Sequence, residues 1–382
     1  MFRVAYLCEF PSLNGGENSL LSFLASAQSE VHPLFLCPAT GPLADRLDCL
    51  GYARHDFSLL TPERQRKPAE QINAELLGTL AELDVDLVHA NSLSMSRILG
   101  RVAVQLTVPT LGHIRDILNV SGKVIADLSE LNSCLAVSHA TRQCYLDQGM
   151  PDSRVTTVYN GIDRGGFQTE TPPESGSLRA SLGIAPSAFL IGGVGQIGLR
   201  KAWGVLLDAV EILFERCRSV RDTVPDIQIV IAGLRHSEKP ESIEYEQSLI
   251  RRSYAGPLAE RVHFIGYHRP ISQLLHEIDV LAHPAHQEPL GRVLLEAAAC
   301  AVPVVATAVG GTAEIFGESG AILVPSKNAE AMALGLEKVF ADDGPLVRRM
   351  TEQAGERLTR LFGRATHRER MLALYQDVLA SR

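Results

Sequence analysis

Two glutamates, Glu288 and Glu296, are the residues of this chain whose types and spacing most suggest chemistry. They lie on either side of Pro289-Leu290-Gly291-Arg292, after a strand-like run that ends at His283. A separation of about two helical turns leads us to expect both acids at the start of one helix. The free N–H groups of a helix N-terminus suit a phosphate or a sugar hydroxyl, so we interpret the pair as a clamp for polyol hydroxyls.

An earlier segment, Gly193 to Gly198, has the pattern G-x-G-x-x-G between a strand-like run and a helix. Dinucleotide sites are found in this context. The next strand-like run, Ile229 to Gly233, is followed by Leu and Arg rather than by an acid for a ribose diol. We therefore favour a phosphate-facing loop at Gly195, with Arg200 and Lys201 beyond it as cations for a diphosphate. NAD binding and a merely solvated helix start both stay open.

Three residues of the first half stand where ligands bind in open α/β sheets. Gly16, in Asn14-Gly15-Gly16, follows the first strand-like run and begins a helix, and a glycine there lets the backbone approach a ligand closely. A plain tight turn explains it equally well. His89 and His113 each end a strand-like run, at the end of the sheet where ligands bind. A lone histidine is more often a satisfied polar residue than a catalytic one.

Two further motifs bear on ligands. Phe264-Ile265-Gly266, at a strand end, is a plausible wall for a nucleobase, although an aromatic residue there more often belongs to the core. His283, His286 and Glu288 have a spacing that metal ligands could use. Pro284 makes their geometry irregular, and no further Cys, His or Asp cluster is near, so we predict no metal.

These residues need a scaffold that brings strand ends together. From Arg3 onward, short apolar runs alternate with amphipathic stretches, which is typical of βαβ units and a parallel sheet. The rhythm stops at a stretch with Gly165-Gly166 and Pro172-Pro173, then resumes at Phe189. We predict an α/β protein with one Rossmann-like domain at 1–165, a linker at 166–183, a second Rossmann-like domain at 184–355 and a helical end at 356–382.

Composition limits the function classes. A chain of 382 residues with 46% hydrophobic residues suits two globular domains, and no apolar run approaches the ~18 residues of a membrane span. Glu9 interrupts the first apolar run, and seven scattered cysteines contain no Cys-x-x-Cys pair, so we expect a cytoplasmic protein with reduced thiols. A net charge of −8 opposes nucleic-acid binding and leaves at most a peripheral membrane contact.

Several of these motifs together resemble the family 4 retaining glycosyltransferases, also described as glycosyl transferases group 1. The resemblance covers nearly the whole chain: the Gly15-Gly16 loop, Val158 to Asp163, Gly195 to Lys201, Val262 to Gly266, and Glu288 to Glu314. It implies the GT-B architecture, in which two Rossmann-like domains face a central cleft and the last helix crosses back to the N-terminal domain. Gln196 departs from the family, which has an arginine at that place.

The resemblance also implies roles. Glu296 would hold the ribose hydroxyls of a nucleotide-diphosphate sugar, and Glu288 with the backbone of Leu290 and Gly291 the sugar hydroxyls. Lys201 and Arg200 would take the diphosphate near Gly195 and Gly16, and His113 would lie against the transferred sugar. The sugar would pass, with retained anomeric configuration, to the hydroxyl of a glycan, lipid-linked or small-molecule acceptor, as in polysaccharide biosynthesis. The donor, of UDP or GDP type, is a substrate, and no cofactor is expected.

Two other functions remain open at this point. The glycine pattern at Gly193 would also fit an NAD-dependent nucleotide-sugar oxidoreductase. The loss of the family's arginine at Gln196 would fit a catalytically silent GT-B binding module, because one charge-assisted contact to the departing phosphate is then missing.

Overall fold

The computed structural model describes residues 1–169, 177–220, 225–342 and 344–380. The chain divides into two compact units, one made of Met1–Ile162 with Leu361–Arg382 and the other of Asp163–Arg360. The boundaries predicted from the sequence are residue 165 for the end of the first domain and residue 356 for the start of the helical end. None of the helices among the described residues is both long and apolar enough to cross a membrane.

The first unit contains a seven-stranded sheet in the order β3-β2-β1-β4-β5-β6-β7. Every neighbouring pair of strands is parallel. The strands are β1 (Phe2–Leu7), β2 (Val31–Cys37), β3 (Ala53–Asp56), β4 (Leu87–Ala90), β5 (Thr110–Ile114), β6 (Ser133–Ala136) and β7 (Val155–Thr157). The helices between them are α1 (Gly15–Ser26), α2 (Pro42–Cys49), α3 (Ala69–Glu82), α4 (Leu93–Val102), α5 (Gly122–Ser129) and α6 (His139–Leu146).

Helix starts in this unit follow from local capping. The Ser92 side chain accepts a hydrogen bond from the backbone N–H of Met95 at the start of α4, and Ser138 caps α6 in the same way through Thr141. Asn14 and Glu17 form a reciprocal capping box at α1. Each cap satisfies backbone N–H groups that a helix leaves unpaired. These starts lie at the carboxyl ends of β4, β6 and β1, where ligands bind to such sheets.

The second unit contains a six-stranded parallel sheet in the order β10-β9-β8-β11-β12-β13. Its strands are β8 (Phe189–Val194), β9 (Ile227–Ala232), β10 (Val262–Gly266), β11 (Val280–His283), β12 (Val304–Thr307) and β13 (Ile322–Val324). Its helices are α7 (Arg164–Thr169), α8 (Ser177–Ser181), α9 (Trp203–Val220), α10 (Pro240–Ser253), α11 (Ile271–Glu277), α12 (Arg292–Ala299), α13 (Thr312–Phe316), α14 (Ala329–Phe340) and α15 (Pro345–Phe362), whose last two residues belong to the first unit.

The last helix, α16 (Arg364–Ala380), belongs to the first unit. It packs against α1. Its buried face supplies Met371, Leu374, Tyr375 and Val378 to the core that covers one side of the seven-stranded sheet. The chain thus returns to its N-terminal domain, as the GT-B resemblance implies.

The predicted alternation of strands and helices is found in both units as two parallel sheets, with one strand that was not predicted. β3 was not predicted, because Ala53-Arg54-His55-Asp56 lacks an apolar run and lies at the sheet edge with most of its side chains exposed. The predicted linker, 166–183, lies partly outside the described residues. Helices α7 and α8 occupy part of the remainder.

Candidate functional site

An ion pair joins two of the predicted residues in the second unit. Lys201 Nζ donates to Glu288 Oε2 at 2.6 Å, and both side chains are nearly buried. His283 Nε2 donates to the same oxygen at 2.9 Å. The carboxylate of Glu288 is therefore held from two sides, by the residue that ends β11 and by the loop that follows β8.

The pKa values follow from this arrangement. Burial raises the pKa of the Glu288 carboxyl, but the charge of Lys201 and the hydrogen bond from His283 outweigh it, so the pKa lies well below its usual range. Burial and the charge of Lys201 lower the pKa of His283, against the opposing effect of Glu288. His283 is thus a neutral donor beside an ionised glutamate at neutral pH.

Glycines let these groups approach one another. Gly195 has φ of +148°, and a β-carbon there would lie 3.0 Å from Cε of Lys201. Gly291 has φ of +101°, and a β-carbon there would lie 3.2 Å from Cγ of Glu288. At Gly311 a β-carbon would lie 2.6 Å from the Pro289 carbonyl oxygen. The loop that contains Glu288 is therefore packed against backbone that only glycine permits.

The second carboxylate has its own cation. Arg292 Nε donates to Glu296 Oε1 at 2.9 Å, within the first turns of α12. Burial raises the pKa of the Glu296 carboxyl, and the charges of Arg292 and Arg269 only partly offset this. The expectation that both acids lie on one helix was wrong for Glu288, because α12 begins at Arg292 and Gly291 adopts a left-handed conformation before it.

Arg200 and Gln196 are exposed, while Lys201 is buried. Arg200 Nη1 donates to the Gln287 carbonyl at 3.2 Å, and its own carbonyl accepts from the His286 N–H. Gln196 contributes its carbonyl oxygen, which accepts from Trp203 Nε1 at 3.0 Å. Arg200 therefore lies beside the loop that leads to Glu288.

The third glycine of the G-x-G-x-x-G pattern does not have the role that a dinucleotide fingerprint gives it. In that fingerprint the third glycine allows close packing of helix and strand. At Gly198 a β-carbon would meet nothing within 4 Å, whereas at Gly193 it would lie 2.7 Å from the Trp203 ring. Close packing is found instead at Gly233, where a β-carbon would lie 1.9 Å from the Gly195 carbonyl oxygen.

The remaining predicted residues of the second unit lie in varied surroundings. Phe264 is partly buried and packs against the apolar core of the unit. Gly266 ends β10 with φ of +66°, and its carbonyl accepts from the Gly233 N–H. Leu290 is buried. His286 Nδ1 lies 3.2 Å from Ser326 Oγ, and no group of three His, Cys, Asp or Glu in the described ranges could hold a metal ion.

In the first unit, Arg115 connects the other predicted residues. Its Nη2 donates to His113 Nδ1 at 2.9 Å and to Asn91 Oδ1 at 2.7 Å. At Gly16 a β-carbon would lie 3.1 Å from Arg115 Cδ. Burial and the Arg115 charge lower the pKa of His113 well below its usual value, so this histidine is neutral with its proton on Nε2. That Nε2 has no hydrogen-bond partner among the described residues, and the same holds for Nε2 of the stacked His89.

Three hydrogen-bond partners of the predicted site residues were not predicted from the sequence. His283 was weighed only as a metal ligand, Arg292 was left without a role, and Arg115 was not singled out. The spacing of Arg292 and Glu296 could have indicated their pairing, since residues four apart share a helix face. No local signal links His283 to Glu288, because the loop between them has no regular period.

Structures solved for other proteins share this fold. The Anabaena protein Alr3699/HepE, in a crystal structure with UDP and glucose, superposes with a TM-score of 0.83 at 20% identity, covering 98% of this chain and 100% of that one. Sucrose-phosphate synthase from Thermosynechococcus elongatus gives a TM-score of 0.78 at 18% identity, covering 100% of both chains. The fold is that of the GT-B glycosyltransferases.

Sequence comparisons identify the family. Residues 13–165 match the model "Glycosyltransferase Family 4", and residues 175–357 match "Glycosyl transferases group 1". The chain belongs to this family of glycosyltransferases.

Two relatives of similar sequence are named for different activities. A D-inositol 3-phosphate glycosyltransferase of Mycolicibacterium gilvum is 36% identical over 50% of this chain and 40% of its own length. A lipopolysaccharide core biosynthesis mannosyltransferase, LpsB of Rhizobium meliloti, is 26% identical over 66% of this chain and 67% of its own length. The match to the first of these therefore spans less than half of that relative.

Proposed function

We propose that this protein is a retaining glycosyltransferase that moves a sugar from a nucleotide-diphosphate donor, of UDP type, to an acceptor hydroxyl. The observation that carries the proposal is the convergence of Lys201, His283 and Glu288 in the second unit. Family membership supports sugar transfer. The UDP and UDP-glucose in the crystal structures of the Anabaena protein support the choice of nucleotide.

Lys201 is suited to the diphosphate. An ammonium group has three donors, and Glu288 engages one of them. The other two can reach phosphate oxygens while the contact to Glu288 is kept. Arg200, on the neighbouring exposed backbone, supplies the second cation that the family's arginine would otherwise provide at Gln196.

The two glutamates are suited to hydroxyl groups. Each has one oxygen bound to a cation: Glu288 Oε2 to Lys201, and Glu296 Oε1 to Arg292. No described residue donates to the other oxygen of either carboxylate, which leaves an acceptor for a hydroxyl of the sugar at Glu288 and of the ribose at Glu296. His113 in the first unit is a neutral donor, and we assign it to the transferred sugar.

The chemistry needs no protein nucleophile. The bond between the anomeric carbon and the phosphate oxygen breaks, the acceptor hydroxyl attacks on the same face, and the departing phosphate takes its proton. Negative charge develops on the diphosphate, so the main electrostatic task is to stabilise that charge, which falls to Lys201 and Arg200. The acceptor is a glycan, a lipid-linked sugar or a small molecule. We also infer a cytoplasmic protein with at most a peripheral membrane contact, because the seven cysteines are scattered along the sequence without a Cys-x-x-Cys pair.

The test is donor turnover in Lys201→Ala. UDP release from UDP-glucose is expected to fall by roughly 100-fold or more, the cost of losing a charged group that stabilises the transition state. Lys338→Ala, which removes an exposed lysine of α14, serves as the matched control. With water as the acceptor, the reaction releases free glucose. NMR of this glucose, recorded before its anomers interconvert, is expected to show the donor's anomeric configuration. An unchanged rate in Lys201→Ala would contradict the assigned site, and the opposite anomer would contradict retention.

A further inference from the structure

Three buried side-chain nitrogens lie at or next to the carboxyl ends of β4 and β5 without a hydrogen-bond partner among the described residues. They are His89 Nε2, Asn91 Nδ2 and His113 Nε2, and each of the three residues is at most 2% exposed. A buried donor without an acceptor costs stability, so each such group calls for an explanation, such as a molecule that it binds. This end of a parallel sheet is also where ligands bind.

Arg115 determines the orientation of two of these groups. Its Nη2 donates to His113 Nδ1 at 2.9 Å and to Asn91 Oδ1 at 2.7 Å. A guanidinium group only donates, so both atoms that it binds must be acceptors. The bond to Nδ1 leaves the proton of a neutral imidazole on Nε2. The bond to Oδ1 makes the other polar atom of the Asn91 amide the donor Nδ2.

Arg115 is itself held in place by the surrounding backbone and side chains. Its Nε donates to the Asn91 carbonyl at 3.0 Å, and its Nη1 donates to Asn160 Oδ1 at 3.2 Å. Ser19 Oγ donates to the same oxygen of Asn160 at 2.8 Å. At Gly16 a β-carbon would lie 3.1 Å from Arg115 Cδ, so the glycine leaves room for this side chain. The guanidinium group is therefore fixed rather than free to move.

The His113 ring is constrained in plane and in charge as well. It stacks on the His89 ring, with centroids 5.5 Å apart and an angle of 16° between the planes. Burial and the charge of Arg115 both lower the pKa of His113, which keeps the imidazole neutral. The oxygens of Asn91 and Asn160 that Arg115 binds are neutral groups. One N–H donor at Nε2 is the result.

We propose that Arg115 is a positioning residue, which fixes His113 Nε2 and Asn91 Nδ2 as two hydrogen-bond donors to the transferred sugar. The inference rests on the proposed glycosyl transfer, which assigns His113 to that sugar. Arg115 does not contact the sugar and acts only through its two neighbours. Hydroxyl oxygens accept hydrogen bonds, so two donors on adjacent side chains suit a polyol. Asn91 thereby becomes a second residue of the first unit that contacts the sugar.

The first test is the tautomer of His113, read from two-bond ¹H–¹⁵N NMR spectra of the full-length protein at pH 7.5. The signals are assigned by their absence in His113→Gln, and the wild type is expected to carry the proton on Nε2. Arg115→Met should shift the balance toward Nδ1–H by roughly tenfold or more, because a charge-assisted hydrogen bond is lost. Arg115→Lys should keep the Nε2–H form, since an ammonium group also only donates.

Arg142→Met is the matched control for the tautomer. It removes a guanidinium group of the same unit, which donates to the Val155 carbonyl at 2.9 Å, and it should leave the His113 signals unchanged. A wild type with the proton on Nδ1 would overturn the proposal. So would an Arg115→Met protein with the wild-type tautomer.

The second test is calorimetric titration of Asn91→Asp with UDP and with UDP-glucose. This change keeps an oxygen for Arg115 and replaces only the donor Nδ2. The affinity for UDP-glucose should fall by roughly fivefold or more, while that for UDP stays within about twofold. Asn132→Asp is the matched control, because its Oδ1 accepts from Thr110 and the same exchange of amide for carboxylate should change neither affinity. Equal losses for both ligands, or no loss for either, would overturn the contact of Asn91 with the sugar.

The outcomes separate this inference from the proposed function. If the wild type releases UDP from UDP-glucose but Arg115→Met keeps the wild-type tautomer and UDP-glucose affinity, the inference fails and the proposed function stands. If the wild type neither binds nor turns over nucleotide sugars, the proposed function fails, and the sugar contacts of His113 and Asn91 fail with it, whatever the tautomer.

Discussion

At Gly195 the backbone has φ of +148°, and the space where a side chain would begin is occupied by Cε of Lys201 at 3.0 Å. Gly198, three residues on, has an extended backbone and open space around its Cα. Two glycines of one motif therefore differ in what they permit. The difference follows from the position of Lys201, which extends past Gly195 to reach Glu288.

We predict that Gly195→Ala weakens UDP-glucose binding at least tenfold, because the methyl group displaces the Lys201 side chain and strains the backbone. Gly198→Ala should leave the affinity within twofold of the wild type. Calorimetric titration of both variants checks this. Equal losses in the two variants would show that the loop, rather than the Lys201 contact, determines binding.

The contributions of Glu288 and Glu296 to the stability of the folded protein should change with pH in opposite directions. The folded-state pKa of Glu288 is depressed, so its contribution to stability is present above its unfolded pKa of about 4.3 and is lost as the pH falls below it. The folded-state pKa of Glu296 is raised, so its ionised form costs stability above that value.

Thermal unfolding of Glu288→Gln and Glu296→Gln at several pH values checks these signs. At pH 7.5, Glu288→Gln should lose about 3 kcal/mol, because Lys201 stays nearly buried without its partner. That loss should shrink as the pH is lowered from 5 to 3. Glu296→Gln should equal or exceed the wild type at pH 7.5. A larger loss in Glu296→Gln than in Glu288→Gln would contradict the assigned environments.

The sequence indicated which residues of the second unit carry charge, but not how they pair. Lys201 and Glu288 are 87 positions apart, and only the folded sheet brings the loops after β8 and β11 together. His283 was visible as the end of a strand. Its bond to Glu288 depends on the path of the intervening loop, which has no periodic pattern from which a direction could be predicted.

At the scale of elements, the predicted strands were found because buried parallel strands are continuous apolar runs. Edge strand β3 and the start of α12 were not predicted. The first is polar and exposed, and the second depends on the left-handed conformation of Gly291, which ends the loop that contains Glu288. In both cases tertiary position, not local composition, determines the structure.

The last helix, α16, is hydrogen-bonded to strands β1 and β4 of the first unit through the hydroxyl of Tyr375. The Tyr375 hydroxyl of α16 lies 2.9 Å from that of Tyr6 and 2.8 Å from His89 Nδ1, all of them buried. His89 in turn stacks on His113, with ring centroids 5.5 Å apart. The position of α16 thus bears on the packing around His113.

We predict that Tyr375→Phe destabilises the protein by about 2 kcal/mol, because two buried groups each lose a hydrogen-bond partner. Tyr145→Phe is the matched control, since that hydroxyl is buried without a partner among the described residues, and its removal should cost less than 0.5 kcal/mol or stabilise the protein, about the level of an innocuous substitution. Chemical unfolding of both variants measures the difference. A Tyr375→Phe protein as stable as Tyr145→Phe would show that the hydroxyl contacts of α16 contribute nothing.

At the scale of the whole molecule, each unit is a complete parallel sheet with its own core, and each places charged side chains where its strands end. Because the overall charge balance is acidic, an anionic donor needs local cations, and we propose Lys201 and Arg200 of the second unit for that role. The central claim is therefore that the second unit binds a nucleotide sugar.

The most direct test of that claim is calorimetric titration of UDP-glucose into the wild type, Glu296→Ala and Glu318→Ala, the last removing an exposed acid of the same unit. The account predicts binding by the wild type and by Glu318→Ala with affinities within twofold of each other. It predicts at least a tenfold loss in Glu296→Ala, whose carboxylate is assigned to the ribose. Binding by Glu296→Ala as tight as that of the wild type would contradict it.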